Sequence, residues 1–311
     1  MTERLAYING AHVPESQAVL SIRDMGLVYG DSVFDTARTF NGVLFKLEEH
    51  IDRLIQSLAY ARIDPGLTRQ EMIDATHSLV AANLPMLREG EDYWVTIRVT
   101  SGLQSFDGEP SRSAGASVVI DCIPIPLRAR APFFKHGIDA RLTARCRIAP
   151  GAINPNAKTN NYLNMILAQK EIATEHPGAW ALMPDHNGNI AEGAGCNFFI
   201  VKDGEVLTPT TEFVLAGVSR QVVIDLCNEM GIPVRETDIS VEAALSAQEA
   251  FFTSTSLCAC PVATLDGHAY AAGAPGPVTR RIMDGFADLV GMDFVGQYLN
   301  FLGGQTAGTG L

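Results

Sequence analysis

The 311-residue chain has no stretch of the ~18 consecutive apolar residues that a membrane-spanning helix needs. Its opening, MTERLAYINGAHVP, also lacks the apolar core of a signal peptide. No membrane partner is expected, and the cytoplasm is the expected compartment. Basic residues are outnumbered, 23 Lys+Arg against 35 Asp+Glu, for a net charge of −12. Non-specific binding to a phosphate backbone needs a basic surface, so no nucleic-acid partner is expected either. A few local arginines can still reverse the field inside a pocket and admit a small anion. The seven histidines show neither HExxH nor other ligand spacing. The six cysteines (Cys122, Cys146, Cys196, Cys227, Cys258, Cys260) are scattered, and the lone CxC of Cys258 and Cys260 has no second ligand pair. They read as buried, reduced thiols, and no metal site is expected. Low-complexity runs, internal repeats and heptads are missing too.

What is present suits a large core: 47% hydrophobic residues and 19% charged. At the usual ~150 residues per domain, the length suggests two. The chain opens as strand, Asn9-Gly10 turn, strand, then a Gly-punctuated loop and an alternating stretch from Ser32 to Phe40. Residues 46–62 place Leu47, Ile51, Leu54, Ile55 and Leu58 on one helical face, with acids in the first turn. A second helix starts at Thr68, where Glu71 completes a T-x-x-E capping box. YWVTIRVT (93–100) and much of ASVVIDCIPI (116–125) alternate again as strands.

The three prolines of PIPLRARAP predict an extended linker over 124–132. That divides the chain into a small α/β domain (1–123) and a larger one (133–311). In the second part the pattern predicts helices at about 160–175 and 218–230, and hairpins turning at Asn187-Gly188 and Asp203-Gly204. Strands follow near 233–238 and 250–255, with a last helix opened by Pro277.

Five local features could carry chemistry. Lys158, in NPNAKTNNYLN, stands in a polar turn just before an apolar helix; it is either a surface lysine or an amine held at a cleft to attack a carbonyl. Glu192, in NIAEGAGCNFFIV, lies among small residues that let backbone approach a planar ligand. It is either an exposed turn carboxylate or the partner of a pyridine nitrogen, which it would keep protonated. Gly217-Val218-Ser219-Arg220 opens a helix, either as an ordinary cap or as a phosphate site on free N–H groups. Arg53 lies off the apolar stripe of the first helix, as a solvated arginine or a phosphate clamp. Thr253 to Ser256 supply a run of hydroxyls at a strand end.

Taken in order, these features resemble the class IV, or fold-type IV, pyridoxal-phosphate aminotransferases. The resemblance runs from about Tyr7 to Leu289 through RDMGLVYGDSVFDTAR, LEEHIDRL, AKTNNYLNMILA, AEGAGCNFFIVKDGEVLTP, LAGVSR, FFTSTS and GPVTRRI. It implies an α/β (α+β) fold with a small N-terminal domain, a linker and a larger C-terminal domain, with pyridoxal 5'-phosphate between them. It also implies a homodimer. By the same resemblance Lys158 would bind the cofactor covalently and move the substrate's Cα proton. Tyr162 would hydrogen-bond the ring oxygen and Glu192 would pair with the ring nitrogen. Arg53, the backbone N–H groups of Val218 and Ser219, and Thr255 would hold the phosphate.

The substrates implied are a small amino donor and a 2-oxo acid acceptor. Phe34, Thr36 and Arg38 alternate onto one strand face and are the expected substrate contacts, with Tyr29, Thr96, Arg98 and Ser256. Tyr29 and Arg38 match the branched-chain enzymes of the family. Thr36 stands where those have glycine, Thr96 where they often have a carboxylate-binding arginine, and Ser101 where an arginine is common. Arg98 shares a strand face with Thr96, so it pairs with a neighbour or solvent, or reaches the same pocket. Arg38 and Arg98 over an apolar pocket would suit 2-oxoglutarate alternating with a hydrophobic amino acid. The alternatives are a D-amino-acid or (R)-amine transaminase, a lyase on the same scaffold, and a cofactor-binding protein without turnover.

Overall fold

The computed structural model describes residues 3–105 and 115–302. Two sheets organise it. The first is built from β1 (Leu5–Ile8), β2 (Ala11–Pro14), β3 (Ser32–Phe40), β4 (Val43–Phe45), β5 (Tyr93–Thr100) and β6 (Ser117–Pro124). Its order is β2-β1-β6-β5-β3-β4, with every neighbouring pair antiparallel. A short helix, α1 (Met25–Val28), precedes β3, and α2 (Leu47–Ala61) and α3 (Arg69–Asn83) cover one face. The alternation of β3 and β5 sorts their side chains by face. Val33, Ala37, Val95, Ile97 and Val99 point at the helices and are buried there, against Leu47, Ile51, Leu54 and Leu58 of α2. Burial of each of these valine, leucine and isoleucine side chains contributes roughly 1.5–3 kcal/mol. The residues between them, Phe34, Thr36, Trp94, Thr96 and Arg98, are left to the opposite face. The capping box at the start of α3 is formed in both directions between Thr68 and Glu71.

The second sheet contains β7 (Ile138–Leu142), β8 (Trp180–Pro184), β9 (Ile190–Gly193), β10 (Cys196–Lys202), β11 (Glu205–Thr208), β12 (Val234–Glu236), β13 (Glu249–Ser254), β14 (Cys258–Leu265) and β15 (His268–Ala269). Its order is β12-β11-β10-β13-β14-β7-β8-β9, and β9 pairs again with β10, so six of these strands close into a ring. The hairpin turns read at Asn9-Gly10, Asn187-Gly188 and Asp203-Gly204 all join the expected strands. β14 was not legible because Pro261 stands inside it, a residue that argues against a strand paired on both sides.

Between the sheets the chain departs from the expectation of an extended linker over 124–132. It forms a helix, α4 (Leu127–His136), although Pro132 lies within it. Leu127, Ala131 and Phe134 recur at helical spacing and are buried in the main core, which outweighs the hydrogen bond lost at the proline. Pro126 sits at the N-cap, outside the positions that need an N–H. The remaining helices are α5 (Leu163–Glu175), α6 (Val218–Glu229), α7 (Val241–Leu245), α8 (Pro277–Val290) and α9 (Phe294–Leu299). α9 wedges into the junction of the sheets. Its Gln297 accepts from Arg38 on β3 (3.0 Å) and donates to Asp92 (2.8 Å), and its Tyr298 hydroxyl donates to the Ser256 carbonyl after β13.

Candidate active site

The polar turn before α5 is fastened to both sides of the molecule. Lys158 donates its backbone N–H to Ser57 Oγ of α2 (3.0 Å) and accepts at its carbonyl from the Phe34 N–H of β3 (2.9 Å). Its side chain is thereby aimed between the sheets. Nζ donates to the Tyr162 hydroxyl at 3.1 Å and lies 4.6 Å from the Phe34 ring centroid. Lys158 and Tyr162 stand four residues apart in the non-helical turn that leads into α5, and the fold of that turn brings the amine and the phenol together.

Glu192, on β9, is buried rather than exposed on a turn. Arg147 Nε lies 2.8 Å from its Oε1, while Asn197 Nδ2 (3.1 Å) and the Leu215 N–H (3.2 Å) donate to Oε2. Burial pushes this carboxyl above its usual range, and Arg147, the Leu215 N–H and Lys158 pull the other way. Arg147 and Asn197 escaped the sequence reading. Arg147 joins the site through a contact 45 positions along the chain, while Asn197 faces Glu192 across the short turn between β9 and β10, within the AEGAGCNFFIV stretch.

Arg53 projects from α2 through a pair of bonds to Asp35 of β3, Nε to Oδ2 and Nη2 to Oδ1, both 2.8 Å. His50 Nδ1 lies 2.7 Å from the same Oδ1. Burial alone would raise the Asp35 carboxyl, but the charges of Arg53 and His50 hold it well below the usual carboxylate range. Burial lowers His50 in turn, against the pull of Asp35. A third bond, from Arg53 Nη1 to the Ala216 carbonyl (3.0 Å), ties the guanidinium to the loop that opens α6. That helix begins at Gly217 with no side-chain cap, so the N–H groups of Val218 and Ser219 belong to its free first turn. A Cβ at Gly217 would fall 2.1 Å from Asn197 Oδ1, so only glycine fits.

Arg53, Lys158, Tyr162, Glu192, Val218, Ser219 and Thr255 line one niche. Thr253 lines it too, and its Oγ1 is buried with no hydrogen-bond partner among the described residues. At Gly195 an added Cβ would meet no atom within 4 Å, leaving open space beside bare backbone. The donor set therefore fits a phosphorylated aldehyde with a basic ring nitrogen. It provides an amine, a buried carboxylate fixed by a guanidinium, and an arginine beside a helix N-terminus.

The niche opens into a cleft of about 650 Å³ between the sheets, where Phe34, Thr36, Thr96, Arg98 and Ser256 all stand. Thr36 and Thr96 face each other across β3 and β5, with hydroxyls 3.2 Å apart. Arg98 is paired with Asp121 of β6. Two expected contacts fall elsewhere. Arg38 is buried, and its guanidinium donates to the carbonyls of Thr39 and Ser256 and to Gln297, so it braces α9 rather than facing the cleft. Tyr29 is 51% exposed beside Gln104 and lies outside the cleft walls of this chain. The cleft instead gains Trp94 of β5, Trp180 of β8 and Arg130 of α4, none of them anticipated.

The model of the amino-transferase class IV family matches residues 32–265. The chain is 35% identical to a putative branched-chain-amino-acid aminotransferase of Methanocaldococcus jannaschii, over 91% of this chain and 95% of that one. It is 30% identical to a D-alanine aminotransferase of Staphylococcus haemolyticus, over 90% and 95% of the two chains. Among solved structures it superposes on the branched-chain amino acid aminotransferase of Escherichia coli with a TM-score of 0.85, at 32% identity over 93% and 95%.

Proposed function

As the chain belongs to the class IV aminotransferases, which depend on pyridoxal 5'-phosphate, we propose that it transfers the amino group of a branched-chain-like amino acid to a 2-oxo acid such as 2-oxoglutarate. The observation that carries the reading is the convergence of Lys158, Tyr162, Glu192 and Arg53 on one niche that opens into an indole-walled cleft. When bound, the cofactor would supply an electron sink for the bond broken at the substrate's Cα.

Lys158 Nζ is the group that binds the cofactor and then holds and returns the Cα proton, and the Tyr162 hydroxyl positions it. The Glu192 carboxyl takes the ring nitrogen, and the Arg147 guanidinium beside it opposes the upward push of burial. Arg53 and the first turn of α6 take the phosphate. The Thr255 hydroxyl, which donates to the Thr36 carbonyl across the junction (3.0 Å), would turn its one proton to the phosphate when that group binds. Residues 1–123 would act as the cover of the cleft and 133–311 as the cofactor-bearing part.

A homodimer belongs to the same reading. Val19, Ile22, Leu27, Val28, Tyr29 and Leu103 are exposed apolar side chains, and Asp24 bridges to Leu103, so several gather on one surface. A partner seated there would cover Tyr29 and bring it near a cleft. All six cysteines are unpaired, which suits the cytoplasm.

The test is a half-reaction. Protein loaded with pyridoxal 5'-phosphate is given L-leucine, D-alanine or (R)-1-phenylethylamine, and the visible cofactor absorbance is followed. Bleaching by L-leucine, reversed by 2-oxoglutarate, is expected. Bleaching only by D-alanine or the amine would move the assignment to D-amino-acid or (R)-amine transamination. If no cofactor band forms, the role given to Lys158 is wrong.

A further inference from the structure

Among the described residues, one arginine of the cleft has no acid partner. Arg130 of α4 lies with its guanidinium carbon 4.5 Å from the Trp94 ring centroid and 6.0 Å from that of Trp180, and it donates to the Ser256 hydroxyl. Among the described residues no carboxylate stands within ion-pair distance of it, and its charged neighbour is another arginine, Arg38. Arg98, on the same cleft, is by contrast neutralised by Asp121. An arginine stays protonated in a protein, so a largely desolvated guanidinium is held here without its counter-ion.

The strand register separates the two ends of the cleft. Phe34, beside Lys158 Nζ, pairs with Arg98, Thr36 with Thr96, and Arg38 with Trp94. Trp94 therefore leaves β5 four residues along from the level of the lysine, although both side chains line the same cleft. A substrate carbon served by Lys158 keeps its α-carboxylate close to that level. The cation beside Trp94 lines the same cleft as Lys158 but stands off that level, where a substrate's side chain lies.

We infer that Arg130 receives the side-chain carboxylate of a dicarboxylate substrate of the glutamate and 2-oxoglutarate class, while the indoles of Trp94 and Trp180 receive the apolar branch of the other substrate. The inference rests on the aminotransferase reading above. An aminotransferase must admit two chemically opposite side chains in turn. A guanidinium fork beside two indole faces presents a hydrogen-bonding edge and a hydrocarbon-binding surface at one place. This displaces the expectation that Arg38 and Arg98 share the task.

The test compares wild-type holoenzyme with Arg130→Gln and Arg130→Lys. Half-reactions with L-glutamate and L-leucine are expected to show the glutamate-to-leucine ratio of kcat/KM falling about 30-fold or more in Arg130→Gln, chiefly through KM for glutamate. Arg130→Lys recovers part of the loss. A second readout needs no turnover, because the chain's two tryptophans are the two beside Arg130. Glutarate is expected to shift the tryptophan emission of wild type to saturation and that of Arg130→Gln far less, whereas 4-methylvalerate shifts both. An unchanged ratio, or an equal response of both proteins to glutarate, overturns the inference. A wild type that converts leucine but not glutamate overturns it alone, and one that converts neither overturns the proposed function with it.

Discussion

In the niche, Arg53 is held by two bonds to Asp35, and Glu192 by Arg147, Asn197 and a backbone N–H, whereas in the cleft Arg130 meets, among the described residues, a hydroxyl and two indole rings but no acid. Both ends hold arginines, and Arg53 in the niche and Arg98 in the cleft have their acids, whereas among the described residues Arg130 has none. The niche must be in place before a permanent cofactor arrives and must stay in place through every turnover. The cleft trades substrates, so a charge left open there is answered by whichever ligand carries the complementary one. Preorganisation at one end and vacancy at the other are what a shuttle between two substrates needs from a single site.

The largest test of the contrast is Lys158→Ala. Turnover should fall by about 10²–10⁴-fold or more, with the folded protein intact by circular dichroism, because the amine reacts but its Nζ supports no packing. Asp35→Asn should do the reverse. It strands Arg53 and His50 beside a neutral group and should cost about 3–5 kcal/mol in urea unfolding, the penalty of breaking a buried ion pair. An unchanged midpoint would mean that the niche is not held by charge.

The same cluster sets an acid limit. His50 is lowered by folding, so its contribution declines as pH falls below the ordinary histidine value of about 6.5. Asp35 is also lowered, so its contribution is complete above about pH 3.9 and is lost as pH falls further. Stability of wild type should therefore fall in two stages on acidification, and Asp35→Asn should lack the second.

Gly217→Ala is a smaller change of the same kind. The new methyl displaces Asn197 from the Glu192 network and should cost about 1–3 kcal/mol, together with a weaker hold on pyridoxal 5'-phosphate in equilibrium dialysis. Asp121→Asn is the smallest. It releases Arg98 into the cleft and should lower KM for 2-oxoglutarate about two- to fivefold. No change would show that Arg98 lies beyond the substrate's reach.

What could be read from the residues follows the range of the interactions. The faces of β3 and β5, the stripe of α2, the capping box and the turn holding Lys158 are set by neighbours a few positions apart, and they were legible. α4 was hidden because Pro124, Pro126 and Pro132 speak locally against a helix, while burial of Leu127, Ala131 and Phe134 by distant strands decides for one. Arg130 was hidden with it, as was Trp180, whose place on the cleft depends on how the second sheet is wound. Arg147 and Asn197 became visible only as partners of Glu192. Arg38 failed in the opposite sense. Its alternation on β3 is as expected, but α9 reaches it first, and the period of a strand says nothing about what a remote helix covers.

That reach of α9 has a bearing on how the protein is made. Arg38 and its partner Gln297 are 259 positions apart, so at ~5–20 residues per second a ribosome leaves the arginine waiting roughly 13–50 s for its acceptor. The early sheet can close over α2 and α3 in that interval, but the seam with the later one is latched only when residues 294–299 emerge. A nascent chain shortened before Phe294 is thus expected to carry Lys158, Glu192 and Arg53 and still be unable to hold the cleft shut, which makes competence a property acquired only once α9 has been made.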